Sequence, residues 1–497
     1  MEPGNETVHY QKLLLSESAL ESDEEEVKAS GLLVPKPWRT QKATEYKVSG
    51  SPGFWPQMAA ALLLLTIGFF LAIKHFQADD ICPGSLKTMV PPPTRHSHSP
   101  GTYHHGAIIS SAAACSSLGR ELLESGGNIV DAGVGAALCL SVVHPHATGL
   151  GAMFWGLFYN SSSGNSSSLT SGPIQTVAPG LGLPAALPTL HLLHARFGHL
   201  PWPRLLGGPT TLAQEGFLVD KLLASALAIQ GTKGLCPLLC SADGTPLGLG
   251  ARVTNPKLAA VLREAALAPS PDLTRDVLLG LMARDLGLEA LPAEPVPSLV
   301  PALQLSVPQG ILFTTPGPSA GPELLALLEA ALSPGGPSPE PCPPALQAVG
   351  TPRSSILAAI DSSGSMLLLI SSLNSSFGSG QLSPSTGVLF SDLVAHSAGS
   401  PWACPLILQR GSDDTEADVV GLVASEDPMV ARAVTSAMVA HLAVPQTQTH
   451  HHHHGHQQGP IDSLNACVQG TLLQVTAHAE HAHVSSIPAG CCPFQGF

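Results

Sequence analysis

Charged residues are scarce in this 497-residue chain: Asp, Glu, Lys and Arg together make up 12% of it, and aromatic residues only 4%. Basic residues are the scarcer sign, with 22 Lys and Arg against 36 Asp and Glu and a formal net charge of −14. A nucleic-acid-binding protein needs a basic face, so this balance argues against a nucleic-acid partner. So little charge also excludes a coiled coil, and a hydrophobic content of 44% excludes a wholly disordered chain.

Small and turn-forming residues are abundant instead, with 49 Gly and 46 Pro. Such a composition is typical of a loop-rich α/β protein in which small residues allow close packing. The length is sufficient for a large hydrophobic core and for one to three domains.

One long apolar run, residues 54–73, contains no charged residue. Twenty helical residues rise about 30 Å, the thickness of the hydrocarbon core of a bilayer. A cleaved signal peptide would lie nearer the start of the chain, and a buried core helix is the alternative interpretation. Basic residues are more numerous before the run than after it: Lys36, Arg39, Lys42 and Lys47 against Lys74 and Lys87. We therefore predict a single-pass type II signal anchor, with the large C-terminal part outside the cell at the plasma membrane.

The ten cysteines all follow this run, from Cys82 to Cys492, which agrees with an oxidising exterior. On the C-terminal side of the run, sequons for N-glycosylation begin at Asn160, Asn165 and Asn374. The first two lie in a Ser-, Gly- and Asn-rich stretch that favours an exposed loop, so we predict glycans on Asn160 and Asn165.

The chain divides by composition into three regions around the apolar run. Residues 1–53 are polar, with an acidic run at 21–26, and are predicted to be a disordered cytoplasmic tail. Residues 74–105 contain three consecutive prolines and are predicted to be a stalk. A globular pattern begins at Gly106.

Periodicity within the globular region predicts strands and helices in alternation. A strand is predicted at 108–114, and helices at 115–124, 131–143, 323–332 and 427–442. Two apolar stretches, 355–360 and 366–373, are joined by Asp-Ser-Ser-Gly and predict a β-hairpin. Strands flanked by helices in one large unit favour a layered α/β architecture.

Several sequence blocks follow one another in a characteristic order. They are 114–132 (ACSSLGRELLESGGNIVDA), 139–146 (CLSVVHPH), 149–151, 177–180, 194–205, 212–217, 351–355 (TPRSS), 377–379 and 387–390. Over roughly residues 106–440 this succession resembles the gamma-glutamyltransferase (glutathione hydrolase) family. The number and order of the blocks carry the resemblance, since no single block is decisive.

The resemblance implies a fold and a maturation step. The fold is that of an N-terminal nucleophile hydrolase, four layers αββα with two stacked sheets. The precursor cuts itself at the matching bond, Gly350–Thr351, and the heavy part (106–350) and the light part (351–497) stay associated. The resemblance also implies two disulfides, Cys115 with Cys139 and Cys236 with Cys240.

It also implies a mechanism that needs no cofactor. The Thr351 hydroxyl would attack a γ-glutamyl amide, and the freed α-amine of Thr351 would act as its general base. An α-amine has an intrinsic pKa of about 8, suited to proton transfer near neutral pH. Extracellular glutathione and its conjugates would be the donors, with water or an amino acid or peptide as acceptor.

Further site residues follow by matching positions. Ser355 matches the Ser of the family's Thr-x-His-x-Ser motif, and Ser372 and Asn374 match a hydroxyl and an amide near the substrate. Ala424 and Ser425 match the two glycines whose backbone N–H groups form the oxyanion hole.

Other positions depart from the family pattern. Pro352 follows the nucleophile, and Arg353 replaces the motif His. Leu393 and His396 stand where an acidic pair holds the substrate's α-amino group, and Pro401-Trp402 replaces a Ser-Ser contact to its carboxylate. Losing one partner of a buried charge pair costs about 2–5 kcal/mol. Two further hypotheses therefore stay open: a catalytically impaired member acting as a membrane-anchored binding or structural protein, and an amidase of altered specificity.

A run of histidines, 450–454 followed by His456, has the composition of a metal-binding tract. Such runs are more often flexible polar loops, and we assign no metal site to it.

Overall fold

The computed structural model describes residues 63–66, 100–270, 273–336, 353–393, 403–411, 418–425, 430–443 and 470–497. The chain divides into two units, Met1–Pro93 and Thr94–Phe497. In the first, residues 63–66 form a turn of helix with exposed leucines. Most of the predicted membrane span, 54–73, lies outside the described residues. Within those residues, no helix combines the length and hydropathy that crossing a bilayer requires.

The second unit contains the following elements in its described part. The helices are α1 Ala113–Glu124, α2 Ile129–Val143, α3 Ala186–Phe197, α4 Trp202–Glu215, α5 Lys221–Gln230, α6 Pro256–Leu267, α7 Gly280–Asp285, α8 Gly321–Leu332 and α9 Val430–Ala443. The strands are β1 Thr102–Tyr103, β2 Gly106–Ser110, β3 Met153–Asn160, β4 Asn165–Thr170, β5 Thr176–Ala178, β6 Leu181–Gly182, β7 Phe217–Leu218, β8 Arg252–Val253, β9 Ser298–Pro301, β10 Leu303–Val307, β11 Gly310–Thr314, β12 Ser354–Asp361, β13 Met366–Ser372, β14 Leu406–Arg410, β15 Val419–Ser425, β16 Thr471–His478, β17 His481–Ile487 and β18 Phe494–Gly496.

Two seven-stranded antiparallel sheets form the centre of this unit. The first sheet has the strand order β18-β2-β12-β13-β3-β4-β9, and the second has the order β1-β17-β16-β15-β14-β11-β10. β12 lies inside the first sheet between β2 and β13, with Leu357 opposite Ser110 and Ser354 opposite Ser372.

The side chains of β12 alternate between two apolar clusters. Ile356, Ala358 and Ile360 belong to the cluster between the sheets, and Leu357 and Ala359 to the cluster under the helices. This is the period of two that a strand buried on both faces requires. A third cluster joins the outer face of the second sheet to α8 and α9. The order of layers is therefore helix, sheet, sheet, helix, the four layers αββα that the resemblance implies.

Close packing between layers depends on small residues. A Cβ at Gly133 of α2 would lie 2.5 Å from Leu367 of β13. A Cβ at Gly421 of β15 would lie 2.7 Å from the Met366 sulfur across the sheet interface. Distances this short lie well inside the normal separation of non-bonded carbon atoms. The glycines thus set how closely α2 and β15 approach the first sheet.

The predicted elements are largely found, with two differences at the N-terminal end. The hairpin of β12 and β13 is present, and its turn is closed by the Asp361 carboxylate, which accepts the Ser365 N–H at 3.0 Å. The strand predicted at 108–114 ends at Ser110, because the Ser110 hydroxyl bonds to the Ala112 backbone and the chain turns into α1. β1 lies within the predicted stalk, yet it pairs with β17, so the second sheet includes residues before Gly106.

A reciprocal cap begins α2, the helix that packs on β12. The Asn128 side chain accepts the N–H groups of Val130 and Asp131, and the Asp131 carboxylate accepts the Asn128 N–H at 2.9 Å. The Asn128 side-chain amide also donates to the Phe197 carbonyl at the end of α3. The cap therefore satisfies the free donors of α2 and ties two helices together.

We predict that Asn128→Ala lowers the free energy of unfolding by about 1–2 kcal/mol, the usual cost of losing an N-cap side chain. Denaturant unfolding followed by circular dichroism measures it. Glu121→Ala, on the exposed face of α1, is the control, and equal stability of the two variants would contradict the prediction.

Candidate active site

The candidate site lies where β12 begins. Gly350 and Thr351, the predicted cleavage site and nucleophile, lie outside the described residues, as does Pro352. The described chain continues at Arg353, two positions after Thr351, and β12 starts at the next residue, Ser354. The first described residues after the predicted nucleophile therefore lie at this end of the first sheet.

Ser372, at the end of β13, holds the chain that enters β12. Its hydroxyl donates to the Arg353 carbonyl at 2.6 Å and accepts the Asn374 N–H at 2.8 Å. Ser372 itself is 2% exposed, so its hydroxyl bonds to the chain rather than to solvent. The single hydroxyl thereby fixes both the approach to β12 and the exit from β13.

Asn374 turns the chain after β13. Its φ of 76° lies in the left-handed region, which Asn tolerates better than most residues. The next residue, Ser375, donates from its N–H and its hydroxyl to the Asp392 carboxylate, at 3.1 and 2.5 Å. This pair anchors the loop that follows β13 to the segment 391–393.

Ser355 and Ser371 form the matching pair on the helix-facing side of the hairpin. The Ser371 hydroxyl donates to the Thr148 hydroxyl at 2.7 Å. Ser355 is buried, and among the described residues its hydroxyl has no hydrogen-bond partner. A buried hydroxyl without a partner is costly in a folded chain, and it marks this end of β12 as unusual.

Ala424 and Ser425 end β15 at the same end of the sandwich. β15 starts with Val419 beside Gly364 of the β12–β13 turn, and it therefore runs toward the end where β12 begins. Both residues pair with β16, whereas the pairing with β14 stops at Leu422. Ala424 is fully buried in extended backbone. Ala424 and Ser425, the predicted oxyanion residues, thus lie at the end of the sandwich where β12 begins. They follow the last β15 residue that pairs with β14.

Leu393, the residue predicted to stand where the family has an amine-binding carboxylate, has apolar surroundings as well as an apolar side chain. Leu393 is 1% exposed and belongs to the cluster between the sheets. The neighbouring Asp392 is engaged by Ser375. His396, Pro401 and Trp402 lie outside the described residues.

The structure also assembles a polar group that the sequence does not indicate. The Ser111 hydroxyl lies 3.2 Å from Nδ1 of His144, and Nε2 of His144 lies 2.5 Å from the Asp220 carboxylate. Ser111 and His144 are 33 positions apart in the chain, and His144 and Asp220 are 76 apart, so no local sequence motif predicts this group. Since Ser110 pairs with Leu357, Ser111 lies at the same end of the first sheet as the start of β12.

A G-x-S-x-G pattern, the usual sequence signal for a serine nucleophile, occurs elsewhere, at residues 317–321. Its Ser319 is buried, accepts a hydrogen bond from the Thr315 hydroxyl, and donates to the Thr315 and Pro316 carbonyls. This serine has a structural role in the turn that leads into α8. The motif and the Ser–His–Asp contact therefore fall on different residues.

Two disulfides join the pairs that the resemblance implies, Cys115 with Cys139 and Cys236 with Cys240. The first links α1 to α2. Among the described residues no group of three or more His, Cys, Asp or Glu side chains is arranged to hold a metal ion. The histidine run 450–454 lies outside them.

Comparison with known proteins identifies the family. The family profile described as "Gamma-glutamyltranspeptidase" matches residues 115–180 and 174–273. The chain is 67% identical over 500 residues to a Homo sapiens protein named "Glutathione hydrolase 6" and 65% identical over 497 residues to the Bos taurus protein of that name, with 100% of each chain covered. The crystal structure of cephalosporin acylase from Bacillus halodurans has a TM-score of 0.60 at 16% identity, covering 84% of this chain and 99% of that one, and so shares the fold. The chain belongs to the gamma-glutamyltransferase (glutathione hydrolase) family.

Proposed function

We propose that this protein is a γ-glutamyl hydrolase and transferase of the N-terminal-threonine class, which acts on extracellular glutathione and related γ-glutamyl amides. The observation that carries the proposal is the 67% identity, over both whole chains, to a protein named as a glutathione hydrolase. The four-layer sandwich supports it. So does the hydroxyl of Ser372, which fixes the chain two residues after Thr351.

The proposed reaction begins with cleavage of the Gly350–Thr351 bond, which leaves a hydroxyl and an α-amine on one terminal residue. The hydroxyl oxygen attacks the γ-glutamyl carbonyl, and the amine takes the hydroxyl proton. When the amide C–N bond breaks, the amine returns that proton to the leaving nitrogen. The acyl group then passes from Thr351 to water or to an amino acid or peptide amine. No metal or cofactor takes part.

The described residues position this chemistry. Ser372 holds the Arg353 carbonyl, which restricts the chain that carries the nucleophile. The left-handed backbone conformation of Asn374 sets the direction in which its side chain leaves the main chain. Backbone N–H groups at Ala424 and Ser425 would stabilise the oxyanion, a role that requires no particular side chain.

A second candidate function, an amidase of altered specificity, is favoured by Leu393. An ammonium group gains nothing from a fully buried leucine in the apolar cluster between the sheets, and it loses its hydration there. The corresponding substrate would carry an apolar acyl group in place of the charged γ-glutamyl group. Measuring the hydrolysis of a γ-glutamyl anilide and of an anilide with an apolar acyl group distinguishes the two candidate functions.

We predict that Thr351→Ala leaves one uncut chain and reduces turnover of a γ-glutamyl anilide to background, because both the attacking hydroxyl and the cleavage step are lost. The wild-type protein should show two chains in mass determination, the second beginning at Thr351. Thr351→Ser, which keeps a hydroxyl, is the matched control and should still be cut.

Three other results are informative. A cut wild-type protein that turns over only apolar acyl anilides would support the second candidate. A cut protein that turns over neither, or an uncut wild-type chain, would contradict catalysis at Thr351. The latter two results would support the remaining hypothesis of a catalytically impaired, membrane-anchored binding or structural protein.

We predict that Ser372→Ala lowers kcat by roughly 10- to 100-fold, because a small misplacement of a reacting group has a large effect on rate. The substitution leaves the Arg353 carbonyl and the Asn374 N–H without their shared partner. Ser372→Thr retains the hydroxyl and should keep most of the activity. Steady-state kinetics on the processed protein measure both variants, and equal rates for Ala and Thr would contradict the positioning role.

For the membrane topology we propose a cytoplasmic tail (1–53), a signal anchor (54–73), a stalk and an extracellular catalytic unit. The uncharged apolar run and the excess of basic residues before it support this arrangement. The two sequons at Asn160 and Asn165 face each other across the β3–β4 turn, and Asn165 is exposed there. Enzymes of the secretory pathway can reach such a turn if the unit is outside the cytoplasm.

We predict that the protein from mammalian cells loses mass on treatment with peptide N-glycosidase. Asn165→Gln should remove part of that shift, since the side chain is exposed. Ser163→Ala, an exposed position of the same turn that leaves both sequons intact, is the control. A wild-type protein whose mobility does not change with the glycosidase would contradict an extracellular β3–β4 turn.

A further inference from the structure

Ser111 occupies a strand-to-helix turn. Only Ser111 and Ala112 connect the end of β2 to the start of α1, and Ser111 is partly exposed. A sharp turn between a strand and a helix is where α/β hydrolases present a serine nucleophile, with the helix N-terminus beside it. Here the same local topology arises without the glycines of the usual motif.

The two partners of Ser111 are each fixed by a helix terminus. His144 caps the C-terminal end of α2, where its N–H donates to the Leu140 carbonyl, and its side chain is 1% exposed. Asp220 caps the N-terminal end of α5, where one carboxylate oxygen accepts the Leu223 N–H at 2.9 Å. The other oxygen of Asp220 faces His144. Such supported side chains hold their relative positions without reorganisation, which catalysis requires.

The contacts of His144 suit base catalysis. Burial raises the pKa of Asp220, but the hydrogen bonds from His144 and from the Leu223 N–H outweigh it and hold that pKa below its usual value. When the neutral imidazole carries its proton on Nε2, His144 donates to the Asp220 carboxylate and the lone pair of Nδ1 faces the Ser111 hydroxyl. The adjacent His146, with ring centroids 4.9 Å apart, has a pKa held well below its usual value, chiefly by burial, and adds no charge beside His144 at neutral pH.

Backbone donors lie next to the serine. α1 has twelve residues, and no side chain caps its first turn. The first N–H groups of a helix, here those of Ala113 and Ala114, have no intrahelical acceptor. Both residues are exposed. A helix N-terminus attracts developing negative charge, as an oxyanion hole must.

We propose that Ser111, His144 and Asp220 form a second acyl-transfer site, which hydrolyses small carboxylic esters and is independent of Thr351. An ester suits this site because its leaving alkoxide needs less protonation than an amide nitrogen does. The partly exposed serine on an open turn suits a small acyl group.

The reaction balances with water as the sole co-reactant. The Ser111 oxygen bonds to the ester carbonyl carbon while its proton passes to Nδ1 of His144. The bond to the alcohol oxygen then breaks, and His144 returns the proton to that oxygen, leaving acyl-Ser111. Water attacks the acyl carbon, His144 takes one of its protons, and the Ser111 oxygen recovers a proton as the carboxylic acid leaves. Asp220 touches no reacting atom and acts as a positioning residue for His144.

The test uses the full-length protein in detergent, a fluorophosphonate probe and p-nitrophenyl acetate. We expect the probe to modify Ser111, identified by peptide mass spectrometry, and Ser111→Ala and His144→Gln to lower the ester hydrolysis rate by at least roughly a hundredfold. Ser363→Ala, a serine on the exposed β12–β13 turn, and Thr351→Ala should both keep the labelling. Retention in Thr351→Ala separates this site from the proposed γ-glutamyl activity, so either can fail alone.

Asp220→Asn tests the positioning role, since an Asn side-chain oxygen can still accept the Leu223 N–H while the charge is lost. We expect kcat for the ester to fall by roughly 10²- to 10⁴-fold with little change in KM and in the thermal unfolding midpoint. A lower unfolding midpoint with unchanged kcat would indicate a structural role only and overturn this assignment.

Ser111→Cys covers the case in which the alanine variant misfolds. A cysteine beside His144 should react faster with iodoacetamide than Ser111→Cys combined with His144→Gln does. An unlabelled wild-type protein, a label on another residue, or equal alkylation of the two cysteine variants would overturn the proposal.

Discussion

The burial of β12 on both faces is the constraint on which the rest of the structure depends. It pairs with β13 from Ser354 to Ile360 and with β2 from Leu357 to Asp361. Helix α2 covers one face, and the second sheet covers the other. Apolar side chains are therefore required along its middle, and polar side chains are tolerated only where the strand leaves these layers. That requirement places the polar side chains of β12 at its two ends, Ser354 and Ser355 at the start and Asp361 at the turn.

At the end where β12 begins, the polar groups are held chiefly by one another and by the backbone. Ser372 joins two backbone groups, and Asp392 accepts two bonds from Ser375. Among the described residues, the Ser355 hydroxyl and Nδ1 of His146 stay buried without a partner. Folded proteins rarely leave such atoms unpaired. Each such atom is a candidate for contact with a substrate or with an ordered water molecule.

The two proposed nucleophiles differ in what each requires. The proposed nucleophile Thr351 needs a broken peptide bond, because its proposed base is its own α-amine. The proposed nucleophile Ser111 needs no cleavage, because His144 and Asp220 come from the ends of two separate helices. Leu393, which departs from the family pattern, bears on the proposed γ-glutamyl recognition and is not part of the serine group.

The sequence by itself determined the layered α/β class, the β12–β13 hairpin and most helices, because apolar periodicity and turn residues are local signals. It also predicted the second strand of that hairpin to within one residue, 366–373 against Met366–Ser372, whereas the substrate-binding roles of Ser372 and Asn374 stay a prediction. Tertiary structure alone decided which polar groups meet. Ser111, His144 and Asp220 are separated by long stretches of chain, and the G-x-S-x-G pattern falls on a serine that only caps a turn. Contacts of this kind depend on how sheets and helices stack, and local sequence patterns do not specify that stacking.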